Sequence, residues 1–276
     1  MSMKLAKTIT SIIFVILMTT SLSFSQEDTS QFPDESILAE PETLTWFNNY
    51  ANFRISDKWF WHGEVHFRFR ENENINFMGD IAQIYNRHGI KYIPNKKFKV
   101  TFGGVLRVDF GDQTGDEFED VRLEPRIWHE YLWMMPFEHL RVYHRIRIEH
   151  RWKKKFKKGS EYVFNNRWRY KFMMKIPLNK PKLQPGAFYF NPDVELILQS
   201  GKGIVDNPIE DLRLYPGIGY IASPRMSYSA NMMYTTGQSG DFGGVYRQRW
   251  IFKFNVYVNL DLRKFDDKIP DTSFYQ

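Results

Sequence analysis

The residues best equipped for chemistry in this sequence are a few histidines, one serine and two runs of like charge. His62, Glu64 and His66 alternate along one short run. Alternate residues on a strand lie about 6.5–7 Å apart, which puts His62 and His66 about 13 Å from each other, too far to clasp one metal. Either histidine with Glu64 gives two ligands where a tetrahedral site needs four. The trio therefore reads as polar residues lining a surface, and no metal is expected. His150 and Ser160 fall at the end of one run and the start of the next. A histidine that takes the proton of a serine hydroxyl across a hairpin would make an acyl hydrolase. The His-x-Ser spacing of outer-membrane lipid hydrolases is absent, so this pair carries the alternative reading, not the leading one. Lys153, Lys154, Lys155, Lys157 and Lys158 form a basic loop suited to the phosphates of lipopolysaccharide. Asp112, Asp116, Glu117, Glu119 and Asp120 form an acidic loop without the spacing of an EF-hand. There is no Gly-rich phosphate loop, zinc motif or nucleotide fingerprint, and no cofactor is expected.

The elements that position these residues repeat with a period of two. In Trp61–Arg70, Val65, Phe67 and Phe69 oppose Glu64, His66, Arg68 and Arg70. In residues 121–127, Val121, Leu123 and Ile127 oppose Arg122, Glu124 and Arg126. In Arg141–Trp152, Val142, Ile146 and Ile148 oppose Arg145, Arg147 and Glu149. In Tyr246–Leu260, Trp250, Phe252 and Phe254 oppose Arg247, Arg249 and Lys253. Such runs are strands with one apolar and one polar face. They alternate between short turns and longer polar loops, the arrangement of an outer-membrane barrel with long loops outside and the C-terminus in the periplasm. Eleven runs are legible between residues 44 and 262. Because bacterial single-chain barrels have even numbers, about 12 strands are expected, with 10 next.

Alternation is symmetric under inversion, so a soluble binding barrel with an apolar interior is a further alternative. Run length and strand number favour the membrane: the runs reach 12–18 residues, and a soluble barrel of this kind needs about eight strands. Aromatics make up 17% of the chain and cluster near run ends, as interfacial girdles do. With the apolar face turned to lipid, Glu64, His66, Arg68, Arg70, Arg122, Glu124, Arg126, Arg145, Arg147, Glu149, Arg167, Arg169, Glu195, Arg213, Arg247 and Arg249 line the lumen. They either fill it with ion pairs or edge a narrow pore for small, anionic solutes.

The termini set the compartment. Lys4 and Lys7 precede an apolar stretch from Ile9 to Phe24, and Ser23-Phe24-Ser25 offers a cleavage pattern. Residues 1–25 read as a secretory signal peptide; its loss lowers the full chain's net charge of +6 by two. Residues 26–43 read as a mobile polar segment, 44–265 as the barrel and 266–276 as a periplasmic tail. The chain has no Cys, which excludes disulfides, thiolate sites and a lipoprotein anchor.

Thr45-Trp46-Phe47, the turn Ser56-Asp57-Lys58-Trp59 and the run Glu64-Val65-His66-Phe67-Arg68-Phe69-Arg70 together resemble the DUF2490 family of bacterial, Bacteroidetes-type outer-membrane proteins. The resemblance covers most of residues 44–262. It implies an outer-membrane β-barrel and brings no catalytic residues with it. The expected protein is thus an all-β, antiparallel up-and-down transmembrane barrel, structural or narrowly permeable and not an enzyme. Its partners would be outer-membrane lipid, lipopolysaccharide and, during biogenesis, the barrel-assembly machinery. Nucleic acid is not among them, since no aromatic stacking motif accompanies the basic run.

Overall fold

The computed structural model describes residues 38–112, 115–202, 204, 208–238 and 245–263. Residues 1–25, expected to be a signal peptide, residues 26–37 and the expected tail 266–276 lie outside the described residues. Thirteen strands and no helix are present among them: β1 (Leu38–Arg54), β2 (Trp59–Arg70), β3 (Asp80–Asn95), β4 (Phe98–Phe110), β5 (Val121–Pro136), β6 (Arg141–Lys153), β7 (Val163–Pro177), β8 (Phe188–Phe190), β9 (Asp193–Gly201), β10 (Ile209–Tyr215), β11 (Gly217–Ile221), β12 (Met226–Gln238) and β13 (Tyr246–Asp261). The all-β barrel expected from the alternation is what forms. β1 starts at Leu38, earlier than the Leu44 expected, so part of the segment read as mobile belongs to the sheet.

The ring closes through eleven strands, not twelve. Proline explains the two additional short ones. Pro192 separates β8 from β9, and Pro216 separates β10 from β11. A proline lacks the N–H that a ladder needs and interrupts it. Pairing nonetheless continues in line: β9 and then β8 run along β7, and β10 and then β11 run along β12. Each broken pair therefore counts once around the ring.

An odd number of strands has a geometric consequence. Successive strands reverse direction, so the first and the eleventh run the same way. β1 and β13 pair in parallel, in register from Pro41↔Gln248 to Arg54↔Asp261. All other neighbours are antiparallel, so the expectation of a purely antiparallel barrel is corrected at this seam. The seam carries its own side-chain ladder, with Asn48 Nδ2 donating to Asn255 Oδ1 at 3.0 Å and Asn52 Nδ2 to Asn259 Oδ1 at 3.0 Å.

One rim carries the loops after β2, β4, β6, β9 and β12; the other carries the tight connections at 55–58, 96–97, 137–140 and 222–225. The connection at 178–187, on the same rim, is longer than these. Its length is explained by an apolar anchor: Leu183 and Ala187 are buried against Tyr189 and Ile221.

The outward faces are apolar. Phe102 is 61% exposed, and Ile90, Leu106, Ile127, Trp168, Tyr170, Trp250 and Phe254 are exposed beside it. Outward aromatics pair near the short-turn rim (Trp59–Tyr92, ring centroids 4.7 Å apart; Phe98–Trp133, 5.2 Å) and again near the long-loop rim (Trp152–Phe164, 5.3 Å; Tyr234–Trp250, 4.9 Å). The interior is charged through its middle, where Glu124, Glu149 and Glu195 have no exposure at all. Toward the short-turn rim the interior turns apolar, with Phe60, Ile93, Leu132, Met134 and Tyr143 forming one cluster against Met173. Gly89 and Gly103 face each other across β3 and β4, where a Cβ on Gly103 would collide with the His88 carbonyl oxygen. Only glycine permits that approach.

Candidate functional site

The interior is the one place where functional side chains converge. Strand alternation supplies them: every second residue of each strand turns inward, and here those positions are arginine, glutamate, lysine, tyrosine and asparagine. All sixteen residues assigned to the lumen from sequence stand on this interior face or at its mouth.

Each buried carboxylate is shared among several guanidinium groups. Glu149 of β6 accepts from Arg126 Nη1 at 2.8 Å, Arg87 Nη2 at 3.1 Å, Arg169 Nη1 at 3.1 Å and Arg167 Nη1 at 3.5 Å. Glu124 of β5 accepts from Arg151 Nε at 2.7 Å and Arg126 Nε at 2.8 Å, with Arg107 Nη2 2.7 Å away. Glu195 of β9 accepts from Arg145 Nη2 at 2.5 Å and Arg169 Nη2 at 2.9 Å, and from the Tyr215 hydroxyl. Glu64 lies 2.5 Å from Arg87 and 3.3 Å from Arg147. The planar fork of arginine bridges two carboxylates at once, which an ammonium on a flexible stem does poorly. An ion buried in this way persists only if paired and hydrogen-bonded.

Two cavities stand out among the described residues. The outer one, about 540 Å3, opens among Glu71, Asp112, Lys153, Glu210, Arg247 and Arg249 at the long-loop rim. The inner one, about 170 Å3, is bounded toward the short-turn rim by Leu132, Tyr143, Met173 and Tyr189. Trp46, Arg68, Tyr85, Arg167 and Arg213 line both and so form the partition between them. At its centre the Arg68 guanidinium is held between two rings, 3.6 Å from the Trp46 centroid and 4.1 Å from that of Tyr85.

The sequence-level candidates for chemistry are placed as follows. His62 Nε2 lies 2.9 Å from Glu64 Oε1 and His66 Nε2 3.4 Å from Glu64 Oε2, so Glu64 joins the two rings. Arg87 and Arg147 crowd the same carboxylate, surroundings that repel a cation. No group of three or more metal-ligating side chains is found among the described residues. His150 faces outward and bonds Asn166 Oδ1 through Nδ1 at 2.6 Å, while Ser160 Oγ donates to the Lys157 carbonyl at 2.5 Å. The pair assembled for hydrolysis from sequence is therefore engaged with other partners. The basic loop meets the acidic one: Lys154 Nζ is 2.6 Å from Glu119 Oε2, and Lys158 Nζ donates to the Asp116 carbonyl at 2.6 Å. Lys153 turns into the outer cavity, and Lys155, Lys157 and Lys158 are exposed, the first two without a carboxylate partner among the described residues.

Sequence reasoning missed several interior groups: Arg87, Lys91, Lys99, Arg107, Glu130, Lys171, Lys175 and Glu210 all line a cavity or join the network. The signal that finds most of them is the phase of the alternation, extended from the clear runs into β3, β4 and β7. Glu210 escapes that rule because the register shifts between Ile209 and Asp211.

Outside this interior the outward-facing histidines keep local company. His144 Nδ1 is 2.8 Å from the Tyr170 hydroxyl, and the His129 and His150 rings lie 5.6 Å apart.

A family model described as a protein of unknown function, DUF2490, matches residues 43–244, and the chain belongs to that family. No curated protein and no solved structure matches the chain.

Proposed function

We propose that this DUF2490 protein is an outer-membrane β-barrel whose interior is closed to through-flow, a membrane-embedded scaffold with a charged vestibule open at the long-loop rim. One observation carries the reading. Away from the rims, the outward strand faces hold no Asp, Glu, Lys or Arg, whereas carboxylates and guanidinium groups are buried inside. A soluble barrel has the opposite arrangement. In lipid the outer faces meet hydrocarbon, and a closed barrel satisfies every backbone hydrogen bond without an exposed edge. The aromatic pairs toward both rims suit the two membrane interfaces.

Closure is supported by the partition at Arg68 and by the apolar side chains toward the short-turn rim. Both argue for the packed interior over the narrow pore that the sequence also allowed. The exposed Lys155 and Lys157 supply point charges for lipopolysaccharide phosphates.

The test is reconstitution. The chain without residues 1–25, folded into lipid vesicles, is expected to show heat-modifiable migration and protease protection, and to give no steady conductance in planar bilayers. A monodisperse protein that needs no detergent refutes the membrane assignment. A steady conductance refutes closure.

A further inference from the structure

We propose that the inner cavity is a binding site for a small free oxyanion of the phosphate or sulfate class, admitted from the long-loop side. The proposal rests on the closed interior described above and gives it a ligand. Charge is the first argument. Twelve Lys and Arg residues line this cavity against four Asp and Glu, and Arg87, Arg167, Arg169 and Arg213 find further carboxylates just outside it in Glu149, Glu210 and Asp211. The four acids are already engaged: Glu64 by Arg87, Glu130 by Arg147, Asp193 by Lys171 and Glu195 by Arg169. Among the described residues, Arg68, Lys91 and Lys253 form no ion pair with a carboxylate. Cations enclosed without a counter-charge are costly, and an anion among them removes the cost.

Convergence is the second argument. Lys171 and Lys253 both reach the Tyr215 ring, their ammonium groups 4.3 Å and 5.1 Å from its centroid. They approach from β7 and β13, which are not neighbours in the sheet, so two cations from different sides of the barrel converge on one ring of the cavity lining. The third argument is unmet hydrogen bonding. Trp46 Nε1 and Arg68 Nε are buried donors with no hydrogen-bond partner among the described residues. Only an acceptor satisfies them, and an oxyanion presents several.

Size limits the class. One water needs about 10–15 Å3 of such space. The cavity of about 170 Å3 thus takes a hydrated phosphate or sulfate but not a lipid or an oligosaccharide. The partition also separates it from any lipid headgroup at the rim.

The experiment is calorimetric titration of the detergent-folded barrel with sodium phosphate and with sodium sulfate, using sodium chloride to match ionic strength. The expected result is saturable binding of about one anion per chain. Lys253→Gln should weaken it at least tenfold, and Lys96→Gln in the exposed β3–β4 turn should leave it unchanged. Lys91→Gln serves as a second interior variant in case Lys253→Gln does not fold. Heat-modifiable migration of each sample reports on the barrel itself. A folded wild-type barrel with no saturable uptake, or interior variants that bind like wild type, overturns the site while leaving the barrel standing.

Discussion

Arg68 lies between Trp46 and Tyr85, and its guanidinium is only 3.6 Å from the Trp46 ring centroid. This stack is the centre of the wall between the two cavities. Arg68→Ala should join them. The chain has no cysteine, so Lys253→Cys places a single thiol in the inner cavity. A neutral thiol reagent added to the folded protein is expected to label that thiol at least tenfold faster when Arg68 is also Ala. Equal rates would mean that access runs by another route.

Glu149 should be the most sensitive position in the network. It has no solvent exposure and answers to four arginines. Glu149→Gln keeps the shape and leaves buried guanidinium charge uncompensated, which costs about 3–5 kcal/mol. The loss is read as a shift in the urea midpoint of tryptophan fluorescence in lipid. A shift equivalent to less than about 1 kcal/mol would show that the neighbouring carboxylates take over its partners.

Phe102 stands far out from the middle of β4. If it meets lipid, Phe102→Arg should cost about 2–4 kcal/mol of folding free energy in bilayers. Substituting Thr101, whose side chain is buried on the opposite face, separates the two sides of the strand. Indifference of the folding equilibrium to Phe102→Arg would count against a hydrocarbon environment at this level.

The seam can be trapped covalently. Ala51 and Val258 are register partners in the parallel pair. Paired cysteines at these positions fall within the span of about 4.4–6.8 Å that a disulfide bridges between Cα atoms. Oxidation of Ala51→Cys/Val258→Cys should give a compact species on a non-reducing gel. No cross-link would argue against this register.

Much of this architecture was legible in the residues. Strands β2, β5, β6 and β13 announce themselves because apolar and charged side chains alternate along them. The eleven runs were also visible, yet parity argued for a twelfth. Nothing local says that a first and a last strand will pair in parallel, since their partners lie some 207 positions apart. Alternation alone did not give the direction of the apolar face, since it reads the same inside out; run length and strand number supplied it. What could not be seen was which charges meet. Arg68 finds Trp46 and Tyr85 on two neighbouring strands, and the basic run finds the acidic one across a hairpin boundary. These contacts depend on the registers, and the register shifts in β3 and β10 move side chains off any simple count.

The parallel seam also gives the barrel a polarity that a hairpin-closed ring lacks. Leu38 enters β1 at the rim of the long loops, and Asp261 leaves β13 at the rim of the tight turns. The two ends of the sheet therefore stand at opposite rims. If the barrel spans a membrane as proposed, a reporter joined ahead of Leu38 and one joined after Asp261 address different compartments, and the polypeptide makes one net crossing.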